Sequence, residues 1–500
     1  MKRYLFLWHR WLGIVLCLFM AMWFISGVVM MYVGYPKLTP REHLAHLPPL
    51  ETTGCCISLA EAQSSAGHEQ PPDSMRLTSL RGEDYFVLGY RGAIDVVINA
   101  RTGERVNSIS AVQAMQAARQ FAPDVVLRAD GLVDEDVWTH SRALDADRPL
   151  YRVQLQDVEQ RLLYISSRTG AVVRDASHNE RVWNWVGAWI HWLYPLRGNW
   201  LQGAWHNTVV YLSLAATVMA LLGMWLGIIR WRGKRCYRNG SHSPYQGLAR
   251  WHHVVGLGAG GLLVCWIFSG LMSMNPWSVF SRTAPLNVAA YAGGELIPQA
   301  FTQSPTQLLQ QFQVDDFVPV ELTWRRVASE PVVVAQNASG ASKVVLGAGP
   351  VMERLPAELL ERAVGSIRPA GEAHQEWLNA YDFYYYARTA HSMLGHLDKP
   401  LPVLRVRFDD EAQTWLHIDP RSGEILSQDA SGRRLSRVLF ALLHSWDWLP
   451  LLQNRPLWDV LMIGFSIGGL LISLTGTVMG WRRLRSKAVH AKARQRSSPP

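Results

Sequence analysis

The sequence predicts a membrane protein with four transmembrane α-helices, arranged as two parallel repeats, and α+β segments outside the bilayer. Three observations carry that prediction. Four stretches are long and apolar enough to cross a membrane, basic residues crowd into three short segments, and the two halves match at fixed offsets. The composition agrees. Of 500 residues, 49% are apolar and only 18% charged, with 22 Trp, and mean hydropathy is close to zero. That pattern excludes a disordered chain and argues against a purely cytosolic one. The five Cys show no CxxC or CxxCH spacing, so zinc, iron–sulfur and covalently attached c-type haem find no support.

A bilayer crossing needs about 20 apolar residues. The first stretch runs uncharged from residue 11 to 33, the second from about 207 to 229, the third from 254 to 274 and the fourth from 460 to 481. Trp8, Trp11, Tyr32, Trp205, Trp231, Trp251, Trp277, Trp458 and Trp481 stand at their ends as interfacial anchors. The first stretch is too long for a signal-peptide core and has no small-residue cleavage site, so it reads as a retained anchor. The N-terminus (Lys2, Arg3, Arg10), the connection from Arg230 to Arg250 and the tail from Arg482 to Arg496 hold sixteen basic residues and no acidic ones. The rest of the chain carries 33 basic against 40 acidic residues, so the net charge of +9 is a positive-inside signature rather than a nucleic-acid footprint. No nucleic-acid partner is expected. Both termini are expected in the cytoplasm and the two long segments outside, which in a Gram-negative cell means an inner-membrane protein facing the periplasm.

The repeat sets the organisation. An offset of 243 carries Trp8, His9, Gly13, Ser26 and Gly27 onto Trp251, His252, Gly256, Ser269 and Gly270. An offset of 253 carries Arg152, Val153, Ile165 and Gly170 onto Arg405, Val406, Ile418 and Gly423, and His191, Trp205, Gly223 and Gly227 onto His444, Trp458, Gly476 and Gly480. Two parallel repeats imply a pseudo-two-fold axis along the membrane normal. The expected boundaries are a first transmembrane helix within 1–33, an outer segment of two units over 34–180, an interfacial helix and second transmembrane helix over 181–230 and a basic cytoplasmic loop over 231–250. The third transmembrane helix follows over 251–274, a second two-unit outer segment over 275–433, an interfacial helix and fourth transmembrane helix over 434–481, and a basic tail over 482–500. In the outer segments, helical runs at 58–66 and 111–121 alternate with period-2 runs at 84–90, 94–99, 151–155, 161–166, 404–408 and 413–418, closed by turns such as Arg168-Thr-Gly. Helix plus antiparallel strands makes a small α+β unit.

A helix followed by strands ending in a D-x-x-T/S-G-x-I/V turn resembles the PepSY domain. With W-H-R-W-L-G at 8–13, F-I-S-G at 24–27, I-H-W-L-Y-P-L at 190–196 and G-M-W-L-G-I-I-R-W at 223–231, the chain resembles the PepSY-associated transmembrane, iron-regulated membrane protein family. The resemblance covers nearly all of it and leaves out the tail beyond Arg485. It implies a bundle like that of the di-haem ferric-siderophore reductases of the inner membrane, which hold two b-type haems between four helices. Other members carry fused flavin reductase domains, and this chain has no dinucleotide fingerprint or flavin domain.

Histidines sort by depth. His9, His252 and His253 lie at the cytoplasmic ends of the first and third helices, and His191, His206 and His444 near the outer ends of the second and fourth. Imidazole at a membrane border is costly unless it faces protein or a ligand, and a neutral imidazole is an axial haem ligand. Two-fold repetition sets His9 opposite His252 and His191 opposite His444, so each pair is expected to clamp one haem b. Arg10, Arg250 and Arg3 are placed to pair with propionates. His252 occupies the repeat position, which leaves His253 as the expected bystander. His206, whose repeat partner is Asp459, is either a substitute outer ligand or a neighbour of the ligands. His391 and His396 have no repeat partner and read as surface residues, with a substrate site or a ligand role as the alternatives.

Weaker signals complete the reading. Tyr384, Tyr385 and Tyr386 with Trp377 and Phe383 either stack a chelate or belong to an ordinary core. Cys55 and Cys56 allow a vicinal disulfide or separate thiols. The Trp-rich run 182–196 reads as one amphipathic interfacial helix, and Gly258, Gly260 and Gly261 permit close helix approach. The preferred function is a transmembrane electron conduit. It takes electrons from quinol or a partner reductase and reduces a periplasmic acceptor, a ferric-siderophore or other iron chelate. The competing reading is a regulatory or peptidase-interacting PepSY protein without redox activity. A transporter is disfavoured because the span interiors lack Asp, Glu, Lys and Arg.

Overall fold

A computed structural model describes residues 2–197, 201–281, 286–367, 373–389, 391–392 and 395–496. The last four residues of the basic tail lie outside the described residues. Four helices are long and apolar enough to cross a membrane: the first span Lys2–Met30, the second Gln202–Arg230, the third Gly247–Ser273 and the fourth Arg455–Arg496. Each starts earlier than the apolar run suggests, because polar and aromatic flanks continue the helix beyond the hydrocarbon-length core. The bundle packs the first span on the second and fourth, and the third on the second and fourth. Leu16, Met20, Ala216, Met219, Ala220, Leu263, Ile267 and Ile472 fill its centre. Val15, Leu18, Tyr211, Leu221, Trp225, Val460 and Leu471 stay exposed on its outside, where lipid is the solvent. Gly260 lets the second and third spans close up, since a Cβ there would lie 2.2 Å from Met224 Sδ.

The segments between spans fold into three antiparallel sheets. In the first segment these strands are β1 (Ser74–Leu80), β2 (Glu83–Gly89), β3 (Val96–Asn99), β4 (Arg105–Val106), β5 (Leu127–Val133), β6 (Leu150–Leu155), β7 (Leu162–Ser166) and β8 (Val172–Ala176). The second segment supplies β9 (Glu321–Val327), β10 (Glu330–Gln336), β11 (Ser342–Leu346), β12 (Val351–Met352), β13 (Ala373–Leu378), β14 (Val403–Phe408), β15 (Trp415–Asp419) and β16 (Glu424–Asp429). Strands β5–β8 form one four-stranded sheet and β13–β16 another. The remaining eight form a single sheet in the order β12-β11-β10-β9-β1-β2-β3-β4.

That eight-stranded sheet departs from the sequence reading, in which each outer unit carries its own small sheet. Alone, β1 and β9 would each leave a row of backbone groups open at an edge. They pair instead with each other, with Arg76 opposite Thr323 and, on either side, Met75 opposite Trp324 and Leu77 opposite Leu322. Phe86, Leu88, Ile98, Leu308, Phe312 and Trp324 from both segments then share one core. Truncating Phe86, which is fully buried there, costs about 3–5 kcal/mol. The helices above the sheet begin on capping boxes. Ser58 with Glu61 opens Leu59–Ala66, and Ser304 with Gln307 opens Pro305–Val314. Cys55 and Cys56 are paired with each other, and the Thr306 hydroxyl donates to Cys55 O, tying the two segments together.

Two aromatic expectations change in detail. The run 182–196 is not one helix. His178–Val186 stops at Gly187, Ala188–His191 restarts, and Tyr194–Leu196 is a separate short turn. The break falls where Val29 Cγ1 would sit 3.0 Å from a Cβ on Gly187, so the chain turns against the first span. The tyrosine cluster is mostly core. Tyr385 is fully buried, stacks on His417 at 4.7 Å and donates to Pro400 O, whereas Tyr384 meets Phe383 and Trp415 edge-on.

Candidate functional site: two histidine pairs in the bundle

The bundle brings four of the predicted histidines together in two pairs. On the basic side, His9 of the first span faces His252 of the third, with ring centres 6.3 Å apart and planes at 48°. On the sheet side, His191 faces His444 at 6.2 Å and 79°. Ser26, which meets the second pair, lies 17 residues beyond His9 on one helix, about 26 Å along its axis.

Each ring is held through Nδ1. His9 Nδ1 lies 3.1 Å from Met219 O, and His252 Nδ1 lies 3.2 Å from Ile472 O and 3.0 Å from Thr475 Oγ1. A carbonyl only accepts, so in both rings Nδ1 carries the proton. A helical carbonyl already takes the N–H four residues on, and the side chain at that position normally crowds it. Here the residues four on are Gly223 and Gly476. A Cβ at Gly223 would come 2.7 Å from His9 Cε1, and one at Gly476 would come 2.6 Å from Cys17 Sγ and 3.4 Å from His252 Cε1.

The sheet-side pair uses hydroxyls. His191 Nδ1 lies 2.9 Å from Ser26 Oγ, and His444 Nδ1 lies 3.0 Å from Ser269 Oγ and 3.3 Å from Trp266 O. Each serine spends its one proton on its own helix, Ser26 on Met22 O at 2.7 Å and Ser269 on Trp266 O at 2.9 Å. Both oxygens are therefore left to accept, and Nδ1 is again the donor. His191 and His444 end the short segments before the second and fourth spans. Those segments are pinned by matching bonds, Trp205 Nε1 to Trp192 O at 2.8 Å and Trp458 Nε1 to Ser445 O at 2.9 Å. In all four rings Nε2 keeps its lone pair, so each pair can offer two neutral nitrogen ligands to one metal centre.

The other candidates fall elsewhere. His253 is buried with both nitrogens engaged, Nδ1 with Ser243 Oγ at 2.8 Å and Nε2 with Gly227 O at 2.9 Å, which anchors the basic loop. His206 is exposed near the start of the second span and makes no hydrogen bond or ring contact among the described residues. Asp459, at its repeat position, accepts from Tyr32 Oη at 3.0 Å and Arg455 at 3.2 Å. Arg10 and Arg250 are exposed close in sequence to His9 and His252, Arg250 on the first turn of its span. His391 Nε2 meets Met31 O at 2.9 Å at the end of the first span, and His396 is half-buried in the same loop.

Reading the residues alone missed what holds the rings. The signal was present, because Ser26 and Ser269, and Gly223 and Gly476, are identical pairs at the repeat offsets. Only their contacts with imidazole were unread. Among the described residues no group of three or more His, Cys, Asp or Glu could hold a metal ion. No curated protein and no solved structure matches the chain. The family described as the PepSY-associated TM region matches residues 6–308, more than half of the chain, and the chain belongs to that family.

Proposed function

We propose that the protein is an iron-regulated inner-membrane haem protein that passes electrons across the bilayer to a periplasmic ferric chelate, a ferric-siderophore being the expected substrate. The observation that carries this reading is the spacing of both histidine pairs. A metal held between two imidazoles would need about 2 Å for each bond and about 1 Å from each nitrogen to its ring centre, or roughly 6 Å between ring centres. Both pairs meet that figure, at 6.3 and 6.2 Å. With only two histidines in each pair, a porphyrin would supply the remaining donors.

The residues present therefore fit two haems b. His9 and His252 would hold one and His191 and His444 the other. When bound, the group supplies a reversible one-electron Fe(III)/Fe(II) couple. The chain does the positioning. Met219 O, Ile472 O, Ser26 and Ser269 fix the tautomer and keep Nε2 directed at a ligand. Met20, Leu263 and Ile472 exclude water between the tiers. The chelate would be reduced at the sheet side by one electron, with no protein acid or base, since Fe(II) holds hard oxygen donors less tightly than Fe(III). The recurrence of matching elements, such as Ser74–Leu80 with Glu321–Val327, supports two parallel repeats, each carrying PepSY-like units between its two spans. The basic segments support cytoplasmic termini.

The test is a quantified reduced-minus-oxidised spectrum of the purified full chain. Two b-type haems per chain are expected, and the dithionite-reduced form should be reoxidised by a ferric chelate. A folded but colourless protein would overturn the reading.

A further inference from the structure

The first and second spans do not close completely on their lipid-facing side. Between them runs a groove of about 570 Å³, walled by Leu12 and Leu16 on one helix and by Asn207, Thr208, Tyr211 and Ala215 on the other. The walls are apolar along most of its length and polar at one end. That volume is in the range of small-ligand sites. Its apolar end lies one turn from the basic-side pair, since Leu12 follows His9 by three residues and Ala215 precedes Met219, the partner of His9, by four. Its polar end lies at the level of the sheet-side pair along the bundle. Asn207 is two residues beyond Trp205, which is bonded to the residue after His191.

The other half of the molecule provides an internal control. At the repeat offsets, Leu12 and Leu16 become Val255 and Ala259. Asn207, Thr208, Tyr211 and Ala215 become Val460, Leu461, Gly464 and Gly468. There the two helices meet directly, and a Cβ on Gly468 would lie 3.1 Å from Ala259 Cβ. The groove and its polar group thus belong to one half only. The side chains of Asn207, Thr208 and Tyr211 hydrogen-bond to no other group among the described residues; all three are exposed, Asn207 and Thr208 just inside the interfacial anchor Trp205 and Tyr211 one turn deeper, where an unpaired polar group becomes costly. An amide and two hydroxyls together offer both donors and acceptors. They suit a lipid-soluble molecule with a small head that donates and accepts in turn, followed by an unbranched route for a hydrocarbon tail. A phospholipid acyl chain would satisfy the walls and leave the polar end unused.

We propose that this groove binds an isoprenoid quinol with its head at the Asn207 end and admits its electrons from within the membrane at the sheet-side pair. The proposal rests on the electron-transfer reading above and names its donor. The balance is complete with the ferric chelate as acceptor. One quinol loses two electrons and two protons to become quinone, two ferric centres each gain one electron, and the protons leave to the aqueous phase at the Asn207 end.

The test uses the full, haem-loaded chain in nanodiscs with a short-chain ubiquinol, and the variants Asn207→Leu and Ala215→Phe. Two quantities are read: the quinone retained on purification, by extraction and chromatography, and the anaerobic rate of haem reduction by the quinol. Near-stoichiometric quinone is expected in the parent protein. Both variants should lose it and reduce at least tenfold more slowly with quinol, with unchanged haem content and unchanged reduction by dithionite. Asn207 lies on the lipid-facing rim, so its variant keeps the test decisive if the Phe at position 215 disturbs packing. Equal quinone retention and equal quinol rates in parent and variants would overturn the proposal, as would recovery of acyl chains alone from the parent groove. A chain without haem, or one whose dithionite-reduced form leaves a ferric chelate untouched, would overturn the electron-transfer reading instead. Quinone retention would still decide the groove.

Discussion

The two histidine pairs have nearly the same spacing but are held by different means. The basic-side rings sit on spanning helices and donate to backbone carbonyls of the second and fourth spans. The sheet-side rings sit on short segments outside the spans and donate to serine hydroxyls of the first and third. A carbonyl holds a ring only if the glycine four residues on stays bare, whereas a hydroxyl holds it through a side chain that can be removed. The first tier is thus sensitive to steric change and the second to loss of a hydrogen bond. The sheet-side tier also depends on how the outer segments sit, because its two rings arrive from them.

The largest effect is expected from the histidines proposed as haem ligands. His444→Ala should lower haem from two per chain to one and abolish chelate reduction, with the basic-side spectrum intact. His9→Ala should also leave one haem, the one with the other spectrum. Pyridine haemochrome stoichiometry and low-temperature difference spectra read this directly. Loss of both haems in either variant would show that the tiers are not independent sites.

The steric half of the contrast comes next. Gly223→Ala places a methyl 2.7 Å from His9 Cε1, so it should displace that ring and deplete the basic-side haem at least tenfold. Gly27→Ala and Gly270→Ala place theirs 3.7 Å from His191 and His444, ordinary contact distances, and should leave haem content unchanged. Equal depletion by all three would remove the distinction between tiers.

How far the site could be read from the residues follows the same division. The spans, their count and the pairing of His9 with His252 and His191 with His444 were legible, because apolar length and the repeat offsets act over many positions at once. The role of Gly223 was not. It depends on one methyl group's distance from a ring 214 positions away in the chain, which no local pattern encodes. The eight-stranded sheet was hidden for a related reason. The helix Ala111–Phe121 and most strands of the outer segments follow from their alternation, but the pairing of β1 with β9 is a register choice between segments nearly 250 residues apart. The break at Gly187 was equally hidden, since the Trp periodicity runs through it and only the contact with Val29 turns the chain.

The hydrogen-bonding half predicts a graded series. Ser26→Ala should have the larger effect of the two serine changes, because Ser26 Oγ is the acceptor held at hydrogen-bond distance from His191 Nδ1, with the Trp23 carbonyl contributing only a weaker interaction. Losing such a contact typically weakens metal binding by about 10–100-fold. The sheet-side haem should dissociate correspondingly faster in competition with apomyoglobin, and its midpoint potential should shift. Ser269→Ala should cost less, because Trp266 O remains 3.3 Å from His444 Nδ1.

The smallest effect is expected at Thr475→Val. His252 Nδ1 has two acceptors, the Ile472 carbonyl and the Thr475 hydroxyl, and a helical carbonyl survives any side-chain change. Valine preserves the branched shape and removes only the oxygen, so the ring should keep its tautomer and its place. Haem content at the basic side should match the parent protein, with dissociation altered less than about threefold, a difference under 1 kcal/mol. The proton of the Thr475 hydroxyl goes to Leu471 O at 2.7 Å, so Thr475 can only accept from His252. A large loss of basic-side haem in this variant would mean that the hydroxyl, not the carbonyl, holds the ring. The two tiers would then share one mechanism after all.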